Sequence, residues 1–67
     1  MSKESIFLIF VVEYYRNKKQ LSGNEVIVLF DKYGIWELAG KSYFLWHIES
    51  PDHFVQEIDD YILSLVS

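Results

Sequence analysis

Two histidines and a set of acidic residues are the side chains of this sequence whose types suit metal chemistry. His47 and His53 are the only histidines, and Glu57 follows His53 by one helical turn, so these three are the natural candidates for metal ligands. Their spacing matches no metal-binding signature. Asp59 and Asp60 are adjacent, and adjacent side chains point apart on a helix, which favours a solvated surface. The sequence therefore predicts no metal site.

Catalytic patterns give the same result. No Ser, Lys or Tyr is spaced as a nucleophile with its base, and the sequence contains no glycine-rich phosphate loop. We therefore expect a protein that is not an enzyme, with no catalytic residues and no cofactor.

A dense aromatic group in the second half of the chain provides candidate binding residues: Trp36, Tyr43, Trp46 and the neighbouring His47. Two interpretations are open. Aromatic residues at near-helical spacing usually fill a core. Trp and Tyr also dominate the hot spots of protein–protein interfaces, so these four residues are the candidate partner-binding residues.

The size and composition of the chain indicate a partner. A chain of 67 residues makes one small domain, residues 1–67, and buries only about 60% of its unfolded surface. Yet 51% of the residues are hydrophobic, twelve are aromatic, and no Cys is available for a disulfide. This is more apolar bulk than such a domain easily hides, and exposed apolar patches usually mark a protein partner.

One apolar segment must organise the fold: residues 6–12, seven apolar residues in a row. Ser2 is a suitable N-cap, and three basic residues follow at 16, 18 and 19, so the pattern predicts a helix over about 3–19. Apolar side chains cover nearly its whole circumference. We therefore expect this helix to be central, with Phe10 in the core, or to lie in an interface, including that of a homodimer.

Further helices are predicted from their end signals. Ser22 and Glu25 form a capping box before a helix over about 23–33, which Gly34 ends in a left-handed conformation. One or two turns over 35–39 should end at Gly40. Residues 43–48 have strand-like composition but no partner strand, so we interpret them as helical. Ser50 and Pro51 start a last helix over about 51–66. The predicted fold is an all-α compact bundle of three main helices plus one or two short helices.

Charge and hydropathy limit the classes of partner and location. The net charge is −4, and five acidic residues without Lys or Arg follow from Glu49 onward, which argues against nucleic acid. Residues 25–46 loosely resemble a helix-turn-helix, but Lys41 is the only basic residue of the second helix that could contact DNA phosphates.

The apolar segment 6–12 is too short for a membrane span, which needs about 20 apolar residues, and the residues that follow it are unlike those of a signal peptide. We expect a cytoplasmic protein with no membrane interaction.

Several short patterns resemble one known family. They are Phe7-x-Ile9-Phe10-x-x-Glu13, Leu21-Ser22-Gly23-x-Glu25-Val26, Tyr43 four residues before His47, and Val55-x-x-Ile58-x-x-Tyr61. Together they cover nearly the whole chain and resemble a family of short uncharacterised bacterial proteins, a domain of unknown function. The chain departs from the family at Trp46, Ile48 and Glu57, where the family tends to have Leu, Thr and Asp. Members of that family are often encoded beside an ADP-ribosyltransferase-like protein.

The resemblance implies a binding role and no catalytic residues. The expected function is a non-enzymatic protein-interaction module, with an antitoxin-like role toward an ADP-ribosyltransferase-like protein. The alternative is a small DNA-binding or transcription-related helical protein.

Overall fold

The structure, a computed structural model, describes residues 2–67 and is all-α, as predicted. Three long and two short helices follow one another: α1 (Lys3–Lys19), α2 (Gly23–Tyr33), α3 (Ile35–Lys41), α4 (Tyr43–Ile48) and α5 (Pro51–Val66). The radius of gyration is 11.1 Å, close to the ~11 Å expected for a compact chain of this length. The bundle predicted from the sequence is therefore confirmed.

Capping residues determine where the helices begin and end. Ser2 accepts a hydrogen bond from the Ser5 amide, and the capping box between Ser22 and Glu25 forms in both directions. Gly34 ends α2 with φ at +67°, a conformation that Gly adopts without steric cost. Ser50 is the N-cap of α5, although its side chain makes no capping hydrogen bond.

Two predictions about the short helices have different outcomes. The prediction that residues 43–48 are helical is confirmed, since α4 covers this segment. The prediction that Gly40 ends α3 is wrong. The helix continues to Lys41, and Ser42 follows as its C-cap with its amide donating to the Leu38 carbonyl. Gly40 has a helical φ, and a helix interior tolerates one Gly at a cost of about 1 kcal/mol.

The core forms where the four other helices pack against one side of α1, and α1 contacts each of them. Val11 and Tyr15 are the buried residues of α1, and Phe54 and Ile58 are those of α5. Among residues 2–67, the buried residues are Val11, Tyr15, Val26, Phe30, Ile35, Ala39, Trp46, Phe54 and Ile58. These residues come from all five helices, so the core is one continuous cluster.

The prediction that Phe10 lies in the core is wrong. Its side chain is 44% exposed, and Ile6 and Ile9 are 56% and 51% exposed. The neighbouring helices are too few and too short to surround α1, so they cover only the side that carries Val11 and Tyr15. Half of an apolar helix consequently remains uncovered.

Candidate interaction surface

The exposed apolar residues of α1 form one contiguous surface. Ile6, Ile9 and Phe10 are related by spacings of three and four, which place side chains next to one another on a helix. We call these three residues the α1 face. The opposite side of the helix carries Val11 and Tyr15, which are fully buried against the other helices. The α1 face is therefore the side of α1 that the other helices leave about half exposed, although the Phe10 ring contacts Phe54 of α5 edge-on.

An apolar groove continues the α1 face toward α2 and α3. Its volume is about 220 Å³, and its lining residues are Leu8, Ile9, Val12, Glu13, Ile27 and Trp36. Ile9 belongs both to the α1 face and to this groove, which we call the α1–α2 groove. Glu13 is its charged lining residue, and an ion pair at 3.0 Å holds Glu13 to Arg16. The groove thus offers apolar contact with a single charged group at its edge.

Trp36 is fixed in this groove by contacts on two sides. Its indole Nε1–H donates a hydrogen bond of 2.6 Å to the Asp31 carboxylate. Its ring packs edge-on against Phe30, with 5.2 Å between ring centroids. The side chain is only partly buried, so one side of the ring remains accessible. A preorganised aromatic side chain of this kind loses little entropy when a partner binds.

The other three candidate residues lie elsewhere. Tyr43 stacks on His47 with centroids 4.8 Å apart and contacts Phe7 edge-on. His47 is exposed, and its Nδ1 lies 2.8 Å from the Tyr43 carbonyl oxygen. Trp46 is only 2% exposed and stacks on Phe54. Trp46 is thus a core residue, and the four candidates do not form one patch.

The sequence pattern predicted that α1 lies in the core or in an interface, but it did not identify Ile6, Ile9 or Ile27 as surface residues. Two features of the sequence could have indicated this exposure. The polar strip of α1 is too narrow to be its whole solvent-exposed side, and a chain of this length is too short to surround the helix.

A second cavity lies along α2, with a volume of about 480 Å³. Its lining is mixed: Leu21, Asn24, Glu25, Val28, Leu29, Lys32 and Tyr33. Glu25 is already engaged, since the backbone N–H of Ser22 donates to its carboxylate and lowers its pKa below the usual range. The cavity is wider and more polar than the α1–α2 groove, and it does not adjoin the α1 face.

Hydrogen-bonded carboxylates connect α1 to α5. The Tyr14 hydroxyl donates to Asp52 at 2.6 Å, and Lys18 pairs with the same carboxylate at 3.1 Å. Both contacts lower the pKa of Asp52, the tyrosine hydrogen bond most, and the same hydrogen bond raises the pKa of Tyr14. The basic residues at this end of α1 are therefore engaged with acidic groups of the same chain.

A second contact of the same kind, about two turns further along α5, involves the buried Tyr15. Tyr15 donates to Asp59 at 2.7 Å, and Lys19 pairs with the other oxygen of that carboxylate. Burial and this hydrogen bond raise the pKa of the Tyr15 phenol far above its usual value. Together the two tyrosines fix the orientation of α5 on α1.

One group of side chains has a composition suited to a metal ion: Glu49, His53 and Glu57, whose potential ligand atoms all lie within 4.8 Å of one another. Two of these residues, His53 and Glu57, are those noted in the sequence. His47 is not a member of the group, because it belongs to α4 and its ring stacks on the ring of Tyr43.

Comparison with known proteins identifies the family. The profile of a family described as "Protein of unknown function (DUF3791)" matches residues 6–63, nearly the whole chain, so the chain belongs to that family. No curated protein and no solved structure matched the chain. Among residues 2–67, no helix combines the length and the apolar character that crossing a membrane requires.

Proposed function

We propose that this member of the DUF3791 family is a non-enzymatic protein-binding module whose contact surface is the α1 face together with the α1–α2 groove. One observation carries the proposal: Ile6, Ile9 and Phe10 are each about half exposed on a helix whose other side forms the core. Contiguous exposed apolar surface of this kind marks protein interaction sites more often than any other role.

The chemistry of the surface defines the partner. An apolar groove of about 220 Å³ accepts a small number of aliphatic or aromatic side chains, and Trp36 provides aromatic contact in it. Phe10 adds an exposed aromatic side chain on the α1 face. The charged group at the edge of the groove, Glu13, pairs with Arg16 of this chain at 3.0 Å, so a basic residue of the partner would share this carboxylate. We therefore propose a second protein that inserts an apolar segment carrying a flanking Lys or Arg.

The resemblance stated from the sequence suggests which protein this is. Members of the resembling family are often encoded beside an ADP-ribosyltransferase-like protein, and we propose that such a bacterial enzyme is the partner. The small chain would then have an antitoxin-like role in the cytoplasm, occupying part of the larger protein through its apolar surface. The net charge of −4 favours association with a basic surface.

The alternative role, DNA binding, depends on basic residues free to neutralise phosphates. Three of the six basic residues are Arg16, Lys18 and Lys19, and each pairs with a carboxylate of this chain. A DNA ligand would have to displace these partners. This pairing supports a protein partner in preference to DNA.

Calorimetric titration with the purified ADP-ribosyltransferase-like protein tests the proposal. Ile9→Glu places a charge where the α1 face and the groove meet, and we expect it to weaken binding at least a hundredfold. Leu63→Glu is the matched control, since Leu63 is 62% exposed on α5 and does not line the groove. Circular dichroism of both variants should show the wild-type helical content.

Three outcomes would contradict parts of this proposal. Equal affinity of Ile9→Glu and wild type would exclude the α1 face. Concentration-dependent self-association that Ile9→Glu abolishes would identify a second copy of this chain as the occupant, as a homodimer. A mobility shift of DNA that weakens steeply with salt would favour the alternative role.

A further inference from the structure

Three side chains at the start of α5 converge on one point. Glu49 lies just before the N-cap Ser50, His53 lies in the first turn of the helix, and Glu57 lies one turn later. A spacing of four residues places His53 and Glu57 on the same side of α5, and the extended backbone at Glu49 brings its carboxylate to His53. Glu49 and His53 Nδ1 are in direct contact, and all three potential ligand atoms lie within 4.8 Å of one another.

From this convergence we propose that Glu49, His53 and Glu57 form a binding site for one divalent transition-metal ion of the zinc type. One imidazole nitrogen with two carboxylates is a donor set that Zn²⁺ accepts, whereas Mg²⁺ and Ca²⁺ prefer oxygen donors throughout. Tetrahedral Zn²⁺ with bonds of about 2.0–2.2 Å holds its ligand atoms roughly 3.4 Å apart. The ligand atoms now lie within 4.8 Å of one another, so the three side chains would have to rearrange locally to reach this separation, and water would complete the coordination.

A residue outside the group supports the site. Trp46, on α4, is only 2% exposed, and its indole Nε1–H donates a hydrogen bond of 2.7 Å to one oxygen of Glu57. This hydrogen bond orients the carboxylate and leaves its second oxygen available to a metal. Ligating carboxylates are commonly oriented by such a neighbour, and its loss typically lowers metal affinity 10–100-fold.

The local charge also favours a cation. From Glu49 to the C-terminus the sequence contains five acidic residues and no Lys or Arg. The two lysines that reach α5 pair with Asp52 and Asp59, and among residues 2–67 no Lys or Arg forms an ion pair with Glu49 or Glu57. Glu49 and Glu57 are therefore two neighbouring carboxylates without a Lys or Arg partner in the described part of the chain. A divalent ion would neutralise that charge and fasten the segment before α5 to the helix.

Isothermal titration of the full chain with Zn²⁺ at about pH 7.5 tests the proposal. We expect one ion per chain and a melting temperature that rises by about 10 °C or more at a hundredfold excess over Kd. His53→Gln should lower the affinity at least tenfold. Glu57→Gln should do the same while keeping an acceptor for Trp46, so that the core is undisturbed.

The chain supplies matched controls for both changes. His47→Gln removes the other histidine, and Asp60→Asn removes an exposed carboxylate of the same helix. Both should bind Zn²⁺ as the wild type does. Equal losses in His47→Gln and His53→Gln, a stoichiometry other than one, or tighter binding of Mg²⁺ than of Zn²⁺ would each overturn the proposal. Any of these results would indicate an adventitious ion only.

Discussion

The variants Phe10→Ala and Phe54→Ala distinguish a residue of the exposed surface from a residue of the core. Phe54 is 1% exposed, and four aromatic rings lie within 6.2 Å of its centroid. Phe54→Ala removes this contact and leaves a closed cavity, which typically costs about 3–5 kcal/mol. A domain of this length has a stability of roughly 3–10 kcal/mol. We therefore expect Phe54→Ala to be largely unfolded at 37 °C.

Phe10 should behave differently because 44% of its side chain is already exposed. Only about half of the transfer free energy of a Phe is lost, and the space left by the ring opens to solvent, so no cavity is enclosed. We expect a loss of about 1–2 kcal/mol, which corresponds to a decrease of roughly 5–15 °C in Tm for a chain of this size. The variant should fold but bind its partner poorly.

Thermal melts followed by circular dichroism, with urea unfolding at 25 °C, measure both losses. The prediction is a difference of about 1–4 kcal/mol between the two variants, with Phe54→Ala the less stable. If Phe10→Ala proves as destabilising as Phe54→Ala, then Phe10 lies in the core after all. The α1 face would then be smaller than described, and the proposed contact surface would lose its aromatic residue.

Three further predictions concern the capping and polar contacts. Ser22→Ala removes the capping box and should lower stability by about 1 kcal/mol in thermal melts, with helical content almost unchanged. Tyr15→Phe removes a buried hydroxyl that donates to Asp59, so we expect the free energy of unfolding in urea to fall by about 1.5–3 kcal/mol. A decrease below roughly 0.5 kcal/mol would show that this hydrogen bond contributes little to stability. The pKa of Asp52 in the folded chain is lowered below its ordinary value of 3.8. The Asp52 carboxylate therefore contributes fully to stability above pH 3.8, and this contribution is lost as the pH falls through the lowered pKa. Urea midpoints of Asp52→Asn should therefore fall less between neutral and acid pH than those of the wild type, and parallel curves would contradict this.

The helices could be predicted from the sequence because their end signals are local. Ser2, the Ser22–Glu25 box, Gly34 and Pro51 each act within one turn, and the bounds of α1, α2 and α5 agree with the structure. Gly40 misled the prediction because Gly ends a helix only where the chain adopts a left-handed conformation, and here it does not.

The distribution of burial on α1 could not be predicted in the same way. Helical periodicity shows which residues share a side of α1. Because seven consecutive residues are apolar, the sequence does not show which side is buried. Which side is covered depends on tertiary contacts, such as those of Tyr14 and Tyr15 with the carboxylates of α5. The same limit applies to Glu49, which the sequence pattern did not group with His53 and Glu57. The convergence of these three residues depends on where α5 begins and on Trp46 from α4.

The central claim is that the α1 face and the α1–α2 groove bind another protein, and an NMR titration tests it most directly. The chain would be labelled with ¹⁵N and methyl ¹³C and titrated with the unlabelled ADP-ribosyltransferase-like protein. We predict that the largest shifts or line broadening fall on the methyl groups of Ile6, Ile9 and Ile27 and on the indole N–H of Trp36. Spectra that remain unchanged, or shifts confined to the acidic residues of α5, would contradict the account.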